Sequence, residues 1–313
     1  MIHRLLVVLA ILFAGCTAPD RAERGPVSSD NPLRIVATTS MIADLVLQVG
    51  GDVVEVEGLM GPGVDPHLYQ ASEGDVSAMT RADLIVFNGL HLEGKMVDIF
   101  EQMQGRGLNV HAITEGIERE QLLSSELFTG SFDPHIWFDP ALWQRAAHRM
   151  GDILAATDST HAEAFRMRAA VYADSLAGLF EQAREDLSII PENNRVLITS
   201  HDAFGYFGRA FNLEVRGLQG ISTALEAGTS DVRDLAEFVA ENRIPALFVE
   251  SSISPRGIQA VREAVMARGF DVRIGGTLYG DALGSPGSPE DSYVGMFRSN
   301  VQTIASGLAG SDQ

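Results

Sequence analysis

The tripeptide Asp-Pro-His occurs twice in the chain, as Asp65-Pro66-His67 and as Asp133-Pro134-His135. Proline fixes its own φ near −65° and restricts the residue before it, so each histidine is presented from a stiffened backbone. That suits a metal ligand. A third histidine, His201 in Thr199-Ser200-His201-Asp202-Ala203-Phe204, follows a β-branched run. Asp281 is the only carboxylate of the loop Gly275–Gly284. Three imidazoles and one carboxylate make an N3O donor set, which suits Zn²⁺, with a shift towards Mn²⁺ as carboxylate share rises. Each histidine taken alone reads equally well as a hydrogen-bonded turn residue. The set points to metal only if the fold brings the four together.

The elements that must do so are short strands alternating with helices. In the first half the pattern predicts strands over Leu33–Thr39, Val53–Leu59, Leu84–Asn88 and Leu108–Ala112, and helices over Met41–Val49, Ser72–Arg81 and Gly94–Gln104. In the second half it predicts strands over Arg195–Thr199, Leu213–Gly217, Ala246–Glu250 and Val272–Gly275. Helices there are expected over Ala203–Phe211, Ser230–Glu241, Ser254–Arg268 and Pro289–Leu308. Such alternation implies parallel sheets of βαβ units. Ligands of open α/β sheets bind outside the carboxyl ends of strands, the edge where His67, His135 and His201 fall.

Between the halves, Ala162–Ile189 has no Pro and one Gly, with Tyr172, Leu176, Leu179, Ala183 and Leu187 at helical spacing. Thr160 with Glu163 suggests a capping box. A helix of this length spans roughly 40 Å. The expected fold is therefore α/β, two parallel-sheet lobes joined by a long rigid helix, with the metal site between the lobes.

The other histidines fit less demanding roles. His3 lies in the N-terminal segment, His91 in a loop, His111 at a strand end, and His148 and His161 in polar helical contexts.

The chain begins with a basic residue, Arg4, and an apolar run Leu5–Ala14, too short to span a bilayer. Phe13-Ala14-Gly15-Cys16 then resembles the lipobox of bacterial lipoproteins, and Cys16 is the only cysteine. The expected division is a signal peptide (1–15), a flexible tether (16–32), an N-terminal lobe (33–158), the connecting helix (159–190) and a C-terminal lobe (191–313). Cys16 would carry the lipid anchor, so the protein would work outside the cytoplasmic membrane.

Composition sets outer bounds. Among 313 residues there are 42 acidic and 23 basic ones, for a formal charge of −19. That balance argues against nucleic-acid binding, which needs a basic face. One cysteine excludes a disulfide framework and any Cys-rich metal site.

On these motifs the chain resembles the zinc/manganese-binding solute-binding proteins of metal ABC importers, the TroA-like group. The resemblance runs from Arg34 to Leu308. It is carried by Asp65-Pro66-His67, by Asp133-Pro134-His135-Ile136-Trp137-Phe138-Asp139-Pro140, by His201-Asp202-Ala203-Phe204-Gly205-Tyr206-Phe207 and by Leu278-Tyr279-Gly280-Asp281-Ala282-Leu283-Gly284. It implies a metal bound by His67, His135, His201 and Asp281, and delivery to an ABC permease with a cytoplasmic ATPase, the binding protein acting as a monomer. Zinc-dedicated relatives often carry a His- and Asp-rich loop; Thr114–Phe132 has no histidine. Manganese-dedicated relatives often have a glutamate where His201 stands. The retained imidazole favours Zn²⁺, with Mn²⁺ as the alternative. Asp65, Asp133, Asp139, Asp202 and Glu250 are candidate partners of the ligand rings. Competing readings are a surface adhesin with a structural metal, and a zinc hydrolase, although the chain has no His-Glu-x-x-His, Gly-x-Ser-x-Gly or phosphate-loop motif.

Overall fold

The computed structural model describes residues 25–125 and 131–310. The signal segment and Cys16 lie outside the described residues. Strands β1 (Leu33–Ala37), β2 (Val54–Gly58), β3 (Leu84–Phe87) and β4 (Val110–Ala112) form a parallel sheet in the order β2-β1-β3-β4. Strands β5 (Val196–His201) and β6 (Glu214–Gln219) pair in parallel, as do β7 (Ala246–Glu250) and β8 (Arg273–Leu278). Because β5 lies beside β7, the two hydrogen-bonded pairs of the second lobe stand in the order β6-β5-β7-β8, the layout of the first. The halves share a layout, as expected from the pattern of elements.

Helices α1 (Ser40–Gly50), α2 (Glu73–Arg81) and α3 (Val97–Gly105) cover the first sheet. Thr39 caps α1 through the Ile42 amide, and Ser72 with Asp75 forms a capping box on α2. Helix α4 (Pro140–Thr157) was absent from the expected elements, although its start was written in the sequence. Asp139 accepts from the Ala141 and Leu142 amides, and Pro140 stands in the first turn where its missing N–H costs nothing. The connecting helix α5 (Ala162–Leu187) has 26 residues, as expected, but Thr160 and Glu163 form no capping box. Instead Asp158 accepts from the Thr160 amide in a short 3₁₀ turn ahead of it. The second lobe carries α6 (Gly205–Phe211), α7 (Thr229–Glu241), α8 (Arg256–Met266) and α9 (Tyr293–Leu308). No described helix is long and apolar enough to cross a membrane.

Gly25 to Pro32 is tied down: Ser28 and Asn31 bridge and Val27 packs on the core.

Alternation along each strand divides the apolar residues between two faces. In β1, Leu33, Ile35 and Ala37 face a central core while Val36 faces Met79 and Phe100 of α2 and α3. In the second lobe, Leu197 and Phe248 face the same central core, and Ile198 and Leu247 face α7 and α8. The central core thus runs unbroken from β1 through α4, α5 and α9 to the second sheet. Phe297 sits in it fully buried, ringed by Phe180, Phe207, Phe211 and Tyr293.

Phe297→Ala should therefore cost about 3–5 kcal/mol in chemical denaturation. Because both lobes share this core, unfolding should remain one cooperative transition. Two separated transitions in the wild-type chain would contradict a shared core.

Candidate metal centre

Each of the four sequence-selected side chains comes from the carboxyl end of a strand. His67 lies in the turn after β2, and His135 in the loop after β4, just ahead of a 3₁₀ turn at Ile136–Phe138. His201 is the last residue of β5 itself, two residues deeper than the expected strand end. Asp281 follows β8. All four are buried, between 0% and 5% exposed.

The structure brings them together with one ligating atom apiece, all within 4.8 Å of one another. His135 Nε2 is 3.3 Å from His67 Nε2 and 3.4 Å from His201 Nε2. Asp281 Oδ1 is 3.4 Å from His135 Nε2, and Oδ2 is 3.3 Å from His201 Nε2 and 3.8 Å from His67 Nε2. A tetrahedral ion with bonds of about 2.1 Å has ligand–ligand edges of about 3.4 Å. Both Asp281 oxygens are buried with no hydrogen-bond partner. A buried carboxylate left so is costly unless a cation takes its lone pairs.

Charge in the cluster is shared unevenly. Burial pushes His67 down to about 3, so its ring is neutral. Burial also opposes charge on His135, but the Asp133 carboxylate and Asp281 outweigh it and raise the ring to about 9. His201 is likewise raised well above its ordinary value, because Glu250 and Asp281 overcome burial. Asp281 is held well below the usual carboxylate range: burial would raise it, and the two charged imidazoles overcome that.

Two of the expected ring partners touch ligand rings. Asp133 Oδ1 accepts from His135 Nδ1 at 2.7 Å and from the His135 amide at 2.9 Å. Glu250 Oε2 lies 2.8 Å from His201 Nδ1, off the ring N–H direction, while Oε1 accepts from the His201 amide. Asp65 works through backbone: Oδ1 accepts from the His67 amide, and Oδ2 from Thr223 across the lobes at 2.6 Å. Asp139 does not reach a ligand ring; it caps α4 and pairs with Arg209 at 2.7 Å. The Asp202 amide donates to Gly220 O.

Sequence reasoning passed over the groups that align the loops. Trp137 Nε1 donates to Gly280 O, and Tyr293 OH donates to Trp137 O, fastening the Asp281 loop beside His135. Tyr206 OH donates to Asp133 O. Asn88 Nδ2 donates to Pro134 O, and Glu93, buried in the same loop, accepts from the Asn88 and Gly89 amides and Thr38 Oγ1. Trp137 and Tyr206 stand inside the motifs already singled out; Glu93 carries no comparable signal. Gly280 must be glycine, because a Cβ there would overlap Glu250 Oε2. His91, His111, His148 and His161 lie elsewhere: His111 bonds Asn109, His161 bonds Asp158, and His91 and His148 are exposed.

The family model for "Zinc-uptake complex component A periplasmic" matches residues 35–307. The chain belongs to this family. Among its relatives, zinc-binding protein TroA of Treponema pallidum is 45% identical over 282 residues, 90% of this chain and 91% of that protein. Manganese-binding lipoprotein MntA of Bacillus subtilis is 43% identical over 307 residues, covering 96% and 98%. The solved structure of the periplasmic zinc-binding protein TroA superposes with a TM-score of 0.86, over 89% of this chain and 100% of that one. The family is one of substrate-binding proteins of metal transporters, and relatives named for zinc and for manganese are nearly equally similar.

The geometry separates two aspartates that the sequence treats alike. Asp133→Ala should weaken metal affinity about 10–100-fold, because a ring N–H partner is lost. Asp139→Ala should cost stability, about 0.5–2 kcal/mol from the lost cap, and leave affinity within a fewfold. Isothermal titration and thermal melts of the pair would check this; the reverse pattern would refute it.

Proposed function

We propose that the protein captures one divalent ion outside the cytoplasmic membrane and hands it to an ABC permease driven by a cytoplasmic ATPase. His67, His135, His201 and Asp281 hold the ion, which is cargo rather than a resident cofactor. Asp133 and Glu250 orient the two histidines they touch. The observation carrying this reading is the partnerless Asp281 carboxylate facing three imidazole nitrogens at tetrahedral edge distances. Zn²⁺ fits the three nitrogen donors best. Mn²⁺ is the alternative, since a carboxylate that binds through both oxygens expands the site to five-coordination. The reading is one of binding, not catalysis, because a fourth protein ligand takes the position that a catalytic zinc leaves to water.

In the same proposal, residues 1–15 are a signal peptide removed before Cys16, whose lipidation anchors the chain by a tether starting at residue 16. Relatives named as lipoproteins support that arrangement. The mature protein acts as a monomer and needs no nucleic-acid partner.

Protein purified without added metal should hold about one ion per chain by elemental analysis, and competition between Zn²⁺ and Mn²⁺ would rank them. His67→Ala should lose most of that ion, and exposed His148→Ala should keep it. Equal losses would refute the ligand set.

The pH dependence follows from the raised histidines. Unperturbed imidazole titrates near 6.5, which would put the fall in affinity below that pH. With His135 at about 9 and His201 also raised, both rings carry protons at neutral pH that the ion must displace. Affinity should therefore fall as pH drops from about 9, by up to about tenfold per unit for each proton released. His67 stays neutral down to about 3 and adds nothing in this range. Calorimetry in buffers of different ionisation enthalpy should count close to two protons released per ion at pH 7, and a count of zero would overturn this assignment.

A further inference from the structure

In the second lobe the β5-β6 and β7-β8 pairs meet with β5 beside β7, so the strand order reverses there, and the crevice outside the carboxyl ends at such a point is where ligands of open α/β sheets bind. His201 and Glu250 end those two strands and face the metal cluster. Beside that cluster lies a cavity of about 500 Å³, lined by Asp65 and Leu68 of the first lobe and by Ser200, Ser252, Arg256 and Gly257, among others, of the second.

Four features of its second-lobe wall favour negative charge. Ser200 is 3% exposed and its hydroxyl has no hydrogen-bond partner. Strand alternation turns it away from His201, to the face of Ile198, whose neighbours Leu218 and Ile258 line the same cavity. The Ser252 hydroxyl is also buried and partnerless. Above them stands the start of α8, an 11-residue helix whose N-terminus no side chain caps. Its first amides lack intrahelical acceptors and carry the positive end of the helix dipole. Gly257 in that first turn has no side chain to screen them. Arg256 makes no ion pair with another described residue. Two carboxylates share the lining without cancelling this wall. Asp65 already accepts from the His67 amide and Thr223, and Glu226 is exposed at the rim.

We propose that this crevice is a second binding site, for the oxyanion group of a small molecule. The group lies on the α8 N-terminus, takes hydrogen bonds from Ser200 and Ser252 and pairs with Arg256. An inorganic phosphate and the carboxylate of a metal-chelating organic acid offer the same chemistry. The site does not depend on the ion bound by the histidines, and its test reads α8 and not the metal.

The mature chain, loaded with Zn²⁺, is titrated with phosphate and separately with citrate at constant ionic strength, with chloride as control. Backbone amide NMR shifts are followed. Saturable shifts are expected at Arg256, Gly257 and Ile258, with the bound Zn²⁺ unchanged at the end of each titration. Arg256→Gln should weaken binding about fivefold or more, with Ser252→Ala as a second, milder variant, and Zn²⁺ affinity measured without the anion should match wild type in both. Tighter binding of phosphate or of citrate identifies the source, and either outcome supports the site. Shifts that stay linear with concentration, that chloride reproduces, or that keep the same dissociation constant in both variants would overturn it.

Discussion

A carboxylate withdrawn from water with no hydrogen-bond donor on either oxygen is the constraint the rest of the molecule serves. Asp281 is 1% exposed and would be costly as an isolated ion in this interior. It is tolerable only because three imidazoles from three other strand-end segments meet it at 3.3 to 3.8 Å. Two of those rings are themselves backed by carboxylates, Asp133 and Glu250. The lobes therefore cannot be treated as independent domains that happen to touch. Each supplies half of an electrostatic arrangement that neither could bury alone.

The fastening of the loops follows from that need. Trp137 to Gly280, Tyr206 to Asp133, Thr223 to Asp65 and Leu283 to Ser40 are all hydrogen bonds between the lobes within a few residues of a ligand. Behind them the same apolar core serves both lobes, with Phe138 stacked on Phe204 at 4.4 Å, each three residues after a ligand histidine in sequence. A hinge needs a few loop residues free to absorb rotation. A 26-residue helix sharing one core with both sheets offers none along its length.

Much of this was legible from residue types and spacing. The βαβ alternation gave every strand of the two sheets to within a few residues, and strand ends placed three histidines on one edge. The duplicated Asp-Pro-His marked His67 and His135 because proline stiffens the approach to each. What was hidden is instructive in physical terms. Helix α4 escaped because Gln144, Arg145, His148 and Arg149 are interleaved with its stripe, Leu142, Trp143, Ala146, Ala147 and Met150, and dilute its periodicity. The cap at Thr160 failed because Asp158, two residues earlier, competes for the same amide and wins. Asp139 was one of the candidate partners of the ligand rings, but Asp-Pro at a helix start serves the backbone first. Glu93 left no trace, since a buried carboxylate satisfied by amides has no periodicity or motif of its own.

On the proposed reading, the electrostatic arrangement lets the same pocket be stable both before and after it takes an ion. Before the ion arrives, protons on His135 and His201 supply two positive charges against the carboxylates of Asp281, Asp133 and Glu250. A divalent cation supplies the same two charges at nearly the same place when it displaces those protons. The buried net charge is unchanged by the exchange, so the lobes need not open against a large electrostatic imbalance in either state. His67, kept neutral by burial, carries no proton that an ion would have to remove. A site built from carboxylates alone would leave uncompensated negative charge whenever it was empty. The histidine-rich set avoids that, and this is a physical reason for three imidazoles around a single carboxylate in a protein whose task is to release what it binds.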